Sequence, residues 1–168
     1  NTAYTFTDPL TIQSSSGTIT ASSAINTGTN SLTITSGGAV SVAAITSGNL
    51  SITGTGITLN GDITTSGTQG YTGAVTLGNS INLASTGASS AGNNISFSST
   101  VSGAKALVVD AGTGSITFSG VVGGTPLTSL ATTSTHSSGT NIAANITTSG
   151  TQGYTGAVTL SGTGATRT

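Results

Sequence analysis

The sequence ITTSGTQGYTGAVTL occupies residues 63–77 and occurs again, without a change, at residues 146–160. Both copies contain glutamine and tyrosine, which are rare in this chain, so chance similarity within a Ser/Thr/Gly-rich sequence does not explain the match. The chain is therefore repetitive by descent. An internal repeat predicts an array of similar structural units, each of which packs against its neighbours.

A shorter pattern lies inside the repeat and continues beyond it: two large apolar residues are separated by one small or polar residue. This alternation is typical of short strands with one buried face. Clusters of small and polar residues between the pairs predict turns, as at Ser36-Gly37-Gly38, Thr86-Gly87-Ala88 and Gly123-Gly124. The apolar pairs are Leu32/Ile34, Val40/Val42, Leu50/Ile52, Ile57/Leu59, Val75/Leu77, Ile81/Leu83, Ile95/Phe97, Leu107/Val109, Ile116/Phe118 and Val158/Leu160.

The spacing of these pairs predicts the fold class. Equivalent apolar positions recur at a nearly regular interval, as from Leu32 to Leu50 and from Phe97 to Phe118. We expect an all-β, right-handed parallel β-helix (β-solenoid) with about 20 residues per coil and about eight coils. The 83-residue unit that separates the two copies of the repeat then holds about four coils. Residues 1–168 are expected to form a single β-solenoid segment of a longer repeat array.

Stacking also determines where each residue type should lie. The conformational entropy lost when a lone coil becomes ordered costs more free energy than the burial of its few apolar side chains provides. Coils are therefore stable only when they share an interior. We expect an interior of Val, Ile, Leu, Ala and Phe and an exterior of Thr, Ser and Asn. Some of the eleven asparagines are expected to stack at turns. Tyr71 and Tyr154, which occupy equivalent positions of the repeat, are expected to pack at a corner.

The composition excludes several classes of function. Thr, Ser and Gly supply 37, 27 and 26 of the 168 residues, whereas only five residues carry a formal charge. With Lys105 and Arg167 as the only basic residues, the chain cannot supply the basic stripe that nucleic-acid binding requires, nor a polybasic membrane-surface patch. No apolar stretch approaches the length of about 20 residues needed for a membrane-spanning helix.

Export and covalent chemistry are constrained by the sequence as well. The residues from Asn1 onward do not form a basic segment followed by an apolar core, so any export signal is expected outside this sequence. The chain contains no cysteine, which excludes disulfides, thiolate metal sites and thiol catalysis.

Three segments resemble the repeats of filamentous-haemagglutinin-like adhesins and giant repetitive bacterial exoproteins. They are the repeat at residues 63–77, GTGSITF at residues 112–118 and GVVGGTPL at residues 120–127. The resemblance covers about residues 57–160, while residues 1–56 are similar only in composition. It implies a shaft built as a right-handed parallel β-helix, export across a Gram-negative envelope, and a role in adhesion or biofilm. It transfers no functional site.

Enzymes such as pectate lyases also occur on parallel β-helices, and their chemistry requires carboxylates that converge on one site. This chain has Asp8, Asp62 and Asp110 and no glutamate, and the separations of these residues in sequence place them two or three coils apart. Each is expected at a turn or cap. His136 lies in a polar stretch and is expected to be exposed, and no serine has the Gly-x-Ser-x-Gly pattern of a nucleophile elbow. We therefore predict no catalytic residues and no enzymatic activity.

Metal and cofactor sites are not expected either. Calcium-binding solenoids repeat a Gly-Gly-x-Gly-x-Asp unit, but no aspartate follows the Gly-Gly pairs at Gly37 and Gly123. The Gly-Thr-Gly segments at residues 54–56, 112–114 and 162–164 are not followed by a helix and are interpreted as turns rather than anion-binding loops. We predict that the protein has no cofactor.

Three functional hypotheses follow. The favoured one is a non-catalytic structural shaft of a large secreted protein, extracellular or on the bacterial cell surface. Its partners would be neighbouring repeats of the same chain, with end-to-end or lateral self-association and an unidentified cell-surface or glycan receptor. The alternative is a filament-forming subunit, because an open solenoid end invites another chain to pair with it.

Ice binding is the least favoured of the three. It requires a flat ladder with a Thr-x-Thr pair on every coil, whereas the pairs here are unevenly spaced and fade after Thr55. β-branched residues that simply fill strand faces are the simpler interpretation. The pairs are Thr18/Thr20, Thr33/Thr35 and Thr53/Thr55.

Overall fold

The strands of the chain wind into a parallel β-solenoid with three faces. The computed structural model describes residues 6–86 and 92–162, and within these ranges every regular element is a β-strand and every strand pairing is parallel. Thirteen strands form one sheet that folds around a corner, and seven strands form a second sheet. The folded sheet supplies faces A and B, and the second sheet supplies face C. The predicted all-β solenoid is confirmed.

The first strand of each coil lies on face A, the second on face B and the third on face C; β7 and β9 each bend over the corner and cover both A and B. The first four coils contain β1 (Leu10–Ser14), β2 (Ile19–Ala21), β3 (Ile25–Asn26); β4 (Leu32–Ser36), β5 (Val40–Val42), β6 (Ile45–Ser47); β7 (Leu50–Leu59), β8 (Ile63–Thr65); and β9 (Gln69–Leu77), β10 (Ile81–Ala84). The remaining strands are β11 (Ile95–Phe97), β12 (Val101–Ser102), β13 (Ala106–Gly112); β14 (Ile116–Phe118), β15 (Val122–Leu127), β16 (Ser129–Ser134); β17 (Thr140–Ile142), β18 (Ile146–Thr148), β19 (Gln152–Thr155); and β20 (Val158–Leu160).

The coils differ in length. On face A the register partners Leu32 and Leu50 enclose a short coil, whereas the register partners Gln69 and Ile95 enclose a distinctly longer one. The strands keep their pairing while the corner segments between them absorb the difference. As a result the described residues form seven complete turns and the first strand of an eighth, slightly fewer than the eight coils that an even period predicts.

The interior is the shared apolar core that the alternating pattern predicts. All of the predicted apolar pairs are buried except Val158/Leu160, which lie exposed on β20. On face A, Tyr71, Phe97 and Phe118 occupy the same position of successive coils and stack with ring centroids 5.0 Å apart and planes within 10°. Aromatic pairs of this kind add about 0.5–1.5 kcal/mol beyond the area they bury. The interior therefore includes tyrosine, which the sequence pattern had not predicted.

Two segments predicted as turns lie inside strands. Gly123-Gly124 belongs to β15, and Gly54-Thr55-Gly56 belongs to β7 at the bend between faces A and B. Both positions coincide with a shift in strand register. At Gly123 the backbone has a φ of +84° and a Cβ would lie 2.0 Å from the carbonyl oxygen of Thr147, so only glycine fits there. Glycine at these positions allows a strand to bend or to shift its register, and it does not end the strand.

The other predicted turns have different outcomes. Gly37 and Gly38 form the corner between β4 and β5, as predicted. The segment Thr86-Gly87-Ala88 lies largely outside the described residues, because only Thr86 is included.

The two copies of the exact repeat occupy different faces. Residues 63–77 cover faces C, A and B in that order, whereas residues 146–160 cover faces B, C and A. The offset between the copies therefore spans one face fewer than four turns. Tyr71 and Tyr154 lie within β9 and β19, so the prediction that they pack at a corner is wrong.

Candidate interaction surface

The aspartates are separated by the fold, and each makes local hydrogen bonds. Asp8 lies exposed in a bend before β1, where Thr7 Oγ1 donates to its Oδ2 at 3.2 Å. Asp62 precedes β8, and its carboxylate accepts hydrogen bonds from the Asn82 backbone N at 2.8 Å and from Asn82 Nδ2 at 3.3 Å. Both match the predicted turn or cap role.

Asp110 and His136 complete the inventory of candidate reactive groups. Asp110 lies within β13 rather than at a turn, and its Oδ1 accepts from the backbone N of Gly112 at 2.9 Å, across a shift in register. His136 is exposed in the turn after β16, as predicted, and its Nδ1 accepts from the backbone N of Ser138 at 3.1 Å. Among the residues that the structure describes, no three His, Cys, Asp or Glu side chains are grouped so that they could hold a metal ion.

Thr65, Gln69 and Tyr71 form a hydrogen-bonded network inside the solenoid. Gln69 is 1 % exposed, and its Nε2 donates to the carbonyl oxygen of Ala84 at 2.9 Å and to Thr65 Oγ1 at 3.2 Å. The hydroxyl of Tyr71 donates to Gln69 Oε1 at 2.8 Å. Burial raises the pKa of Tyr71 above its ordinary range, because the phenolate would be desolvated. Since its polar groups are paired with one another, this network acts within the fold.

The second copy of the repeat makes the same local hydrogen bond in a more open setting. The hydroxyl of Tyr154 donates to Gln152 Oε1 at 2.8 Å, but Gln152 is exposed and Tyr154 is half-buried. Partial burial also raises the pKa of Tyr154. The Gln-x-Tyr pair is thus a local property of the sequence, whereas its burial depends on position in the stack.

Asparagines at the corners join neighbouring coils. Between faces C and A, Asn49 Oδ1 accepts from Thr68 N at 2.9 Å, and Asn94 Oδ1 accepts from Ser115 N at 2.9 Å. Between faces B and C, Asn60 Nδ2 donates to Ser41 Oγ at 3.0 Å. Asparagine is therefore used at turns, as expected. Asn60 and Asn79 follow each other at the corner between faces B and C, where Asn79 Nδ2 donates to the carbonyl oxygen of Asn60 at 2.8 Å. The other partners here are Ser and Thr on adjacent coils.

Face A carries the most regular outer surface of the molecule. Its eight strands, from β1 to β20, pair without a shift in register, because the irregularity between β7 and β9 lies beyond Thr53, at the bend. Faces B and C each contain a register shift within a strand pair, between Val122 and Leu127 and between Asp110 and Gly112.

Two positions per coil face outward on this face; we call these sixteen residues the face A array. Twelve of them carry a hydroxyl and none is charged. They are Thr11/Gln13, Thr33/Thr35, Ser51/Thr53, Gly70/Thr72, Ser96/Ser98, Thr117/Ser119, Asn141/Ala143 and Thr159/Ser161.

Several hydroxyls of the array are not used by the protein. Within the described part of the chain, the side chains of Thr33, Thr35, Thr53 and Thr72 have no hydrogen-bond partner. Ser98 differs, since its Oγ donates to the carbonyl oxygen of Tyr71 at 3.2 Å. The array therefore presents donors and acceptors to whatever lies against face A.

Sequence reasoning had found only part of this surface. Thr33/Thr35 belong to the array, but Thr20 lies on face B, and Thr55 lies at the bend of β7. A search at a fixed interval loses the pattern after Thr55, because the coils vary in length. Aligning the apolar pairs first, and then taking the residues between and after them, would have revealed the array.

Comparison of the chain with protein families, with curated proteins and with solved structures found no match. The β-solenoid itself is compatible with a β-helical repeat protein. Among the described residues, no helix is long and apolar enough to cross a membrane.

Proposed function

We propose that this chain is a structural shaft segment of a large secreted bacterial surface adhesin or exoprotein, related in style to the filamentous-haemagglutinin-like proteins. It would act outside the cell or on the cell surface, without catalysis, in adhesion or in the association of a biofilm matrix. The observation that carries the proposal is the uninterrupted stack: one apolar interior and one set of parallel strand pairings run through seven turns.

The stack has the physical properties that a shaft needs. Each added coil lengthens the body by about 4.8 Å, the spacing of paired strands, so seven turns span roughly 34 Å. Every coil is bound to the next by backbone hydrogen bonds, by interior packing and by corner bonds such as Asn49 to Thr68. The near absence of charge lets successive coils stack without columns of like charge on their faces.

The dependence of the end-to-end distance on the number of tandem copies of this chain tests the shaft proposal. One, two or four tandem copies of the 168-residue chain would be placed between two fluorophore-labelled reporter domains. The distance between the two reporters would then be measured by electron microscopy or energy transfer. A shaft predicts a distance that grows in proportion to copy number. Gly/Ser linkers of the same lengths serve as controls, because their reach grows only as about the square root of length. Square-root growth of the tandem arrays would overturn the proposal.

A filament-forming subunit is the alternative. A strand at an open end of a parallel solenoid can pair with a strand of another chain. Sedimentation velocity over a wide concentration range separates the two proposals: a monomer or a small oligomer of fixed size supports the shaft segment, whereas species that keep growing with concentration support the filament subunit.

A further inference from the structure

The corner between β7 and β8 holds an asparagine that is followed directly by a glycine, at Asn60-Gly61. None of the other ten asparagines in the sequence precedes a glycine. Because glycine has no Cβ, its backbone nitrogen is the least hindered, and it can approach the side-chain amide of the residue before it. Asn60 is exposed, so water reaches that amide. This corner is therefore where an asparagine side chain of this chain reacts most easily with its own backbone.

The backbone N–H of Gly61 is also available for reaction. Within the described part of the chain it has no hydrogen-bond partner. The residue after Asn49 differs, because Leu50 N donates to the carbonyl oxygen of Thr68 at 2.8 Å, and the residue after Asn94 is held in the same way. A nitrogen that joins two coils must give up its hydrogen bond before it can attack a side chain. The nitrogen of Gly61 has no such bond to lose.

Asn79, at the same corner of the next coil, favours the reactive form of this nitrogen. Its Nδ2 donates to the carbonyl oxygen of Asn60 at 2.8 Å, and that oxygen belongs to the same peptide unit as Gly61 N. The nitrogen attacks after it has lost its proton, and resonance places much of the resulting negative charge on the oxygen. Hydrogen bonds to an ionised acceptor are roughly twice as strong as those to a neutral one. The contact from Asn79 therefore stabilises the deprotonated peptide unit.

We propose that Asn60 is a modification site, at which the side-chain amide is lost through a cyclic succinimide. Gly61 N gives its proton to a solvent hydroxide and bonds to Asn60 Cγ. The Cγ–Nδ2 bond then breaks, and the leaving nitrogen takes a proton from water and departs as ammonia. A second water opens the ring, at Cγ to give aspartate or at the backbone carbonyl to give isoaspartate. This modification goes beyond the proposed shaft role and does not depend on it.

Either product weakens the contacts of this corner. Asn60 Nδ2 donates to Ser41 Oγ at 3.0 Å, and a carboxylate has no such donor. Asp62 lies two residues further on, so the corner gains a second negative charge. Isoaspartate also adds one atom to the main chain, where a Cβ on Gly61 would already lie 2.5 Å from Ala44 N. We expect modified chains, separated by ion exchange, to unfold at a lower urea concentration than unmodified chains.

Incubation of the folded 168-residue chain at mildly alkaline pH tests the proposal. A protease that cleaves before aspartate but not before isoaspartate, followed by mass spectrometry, locates and distinguishes the two products. We expect Asn60 to be converted several-fold faster than Asn49, and Asn79→Ala to slow that conversion several-fold. Asn93→Ala is the matched control, because Asn93 Nδ2 makes a similar contact with the carbonyl oxygen of Ser66, at 3.0 Å, at another corner. It should leave the rate at Asn60 unchanged.

Unfolding the chain separates the effect of the corner from that of the local sequence. In concentrated urea, the wild type and both alanine variants should convert Asn60 at one common rate. Circular dichroism checks that the variants are folded in buffer, and Asn79→Asp, which also lacks the donor, should slow the reaction as Asn79→Ala does. Conversion of Asn60 no faster than that of Asn49 in the folded chain would overturn the proposal. Equal rates in Asn79→Ala and Asn93→Ala, or a difference between them that persists in urea, would do so too.

Discussion

The two copies of ITTSGTQGYTGAVTL show how much of this fold is local and how much is not. Each copy forms strand, corner, strand, bend and strand, with a positive-φ glycine at the bend, Gly73 in one and Gly156 in the other. Yet the first copy begins on face C and the second on face B. Tyr71 is 1 % exposed, while Tyr154 is only half-buried. The sequence determines the local path, whereas the length of chain between the copies determines the face, and the neighbouring coils determine the burial.

Removing the tyrosine from each copy should give the largest difference. Tyr71→Ala deletes a buried ring that stacks on Phe97 and opens a cavity, so we expect a loss of about 3–5 kcal/mol in the free energy of unfolding. Tyr154→Ala, on the more open coil, should cost about 1 kcal/mol or less. Guanidinium chloride unfolding measures both. Equal losses would mean that the two copies have equivalent surroundings.

The bend glycines should show a smaller difference. A Cβ at Gly73 would lie 2.0 Å from the carbonyl oxygen of Gly54, and one at Gly156 would lie 1.8 Å from that of Ser134. Both backbones have positive φ, so alanine is strained at either site, by roughly 1–3 kcal/mol.

The location of the strain distinguishes the two glycine variants. Gly73→Ala acts in the middle of the stack and should lower global stability by the full amount, whereas Gly156→Ala should mainly loosen β19 and β20. Amide hydrogen exchange would show this as lost protection confined to those strands. Loss of protection throughout the solenoid in Gly156→Ala would contradict the assignment.

Alkaline pH should give the smallest effect. Burial raises the pKa of Tyr71, so the folded chain keeps a proton that the unfolded chain releases above about pH 10. Stability is therefore fully present below that pH and falls above it, by up to about 1.4 kcal/mol per pH unit. Tyr71→Phe should remove most of this slope, and Tyr154→Phe should remove little. Urea unfolding midpoints between pH 9 and pH 11.5 measure this dependence of stability on pH. If the slope were unchanged in Tyr71→Phe, the buried Tyr71 hydroxyl would not be its cause.

The fold class was predictable because it depends on patterns that survive changes in coil length. Alternating pairs such as Leu32/Ile34 place the strands, and the scarcity of charge and the internal repeat favour a stacked array. The turn count and the face of each segment were not predictable in the same way, because the corners absorb extra chain without breaking the register. Gly123-Gly124 was misinterpreted for a related reason, since glycine can serve a strand irregularity as well as a turn.

The candidate surface was harder to predict than the fold. Its hydroxyls lie at neighbouring positions only after the coils are aligned by their buried residues, and composition alone distributes Thr and Ser over all three faces. The burial of Gln69 was equally hard to predict. This polar side chain lies in the interior because Tyr71, Thr65 and Ala84 supply the hydrogen-bond partners of its amide. No local pattern in the sequence specifies those partners.

Engineered disulfides test the central claim, that one sequence occupies two different faces of a three-sided solenoid. The chain has no cysteine, and paired parallel strands lie about 4.8 Å apart, within the Cα–Cα range of about 4.4–6.8 Å that a disulfide spans. Cysteine pairs at Thr53/Thr72 on face A and at Thr133/Thr155 on face C should both form under mild oxidation, whereas a pair at Ser119/Thr155 should not. A disulfide at Ser119/Thr155, with none at Thr133/Thr155, would place the second copy on face A and contradict the account.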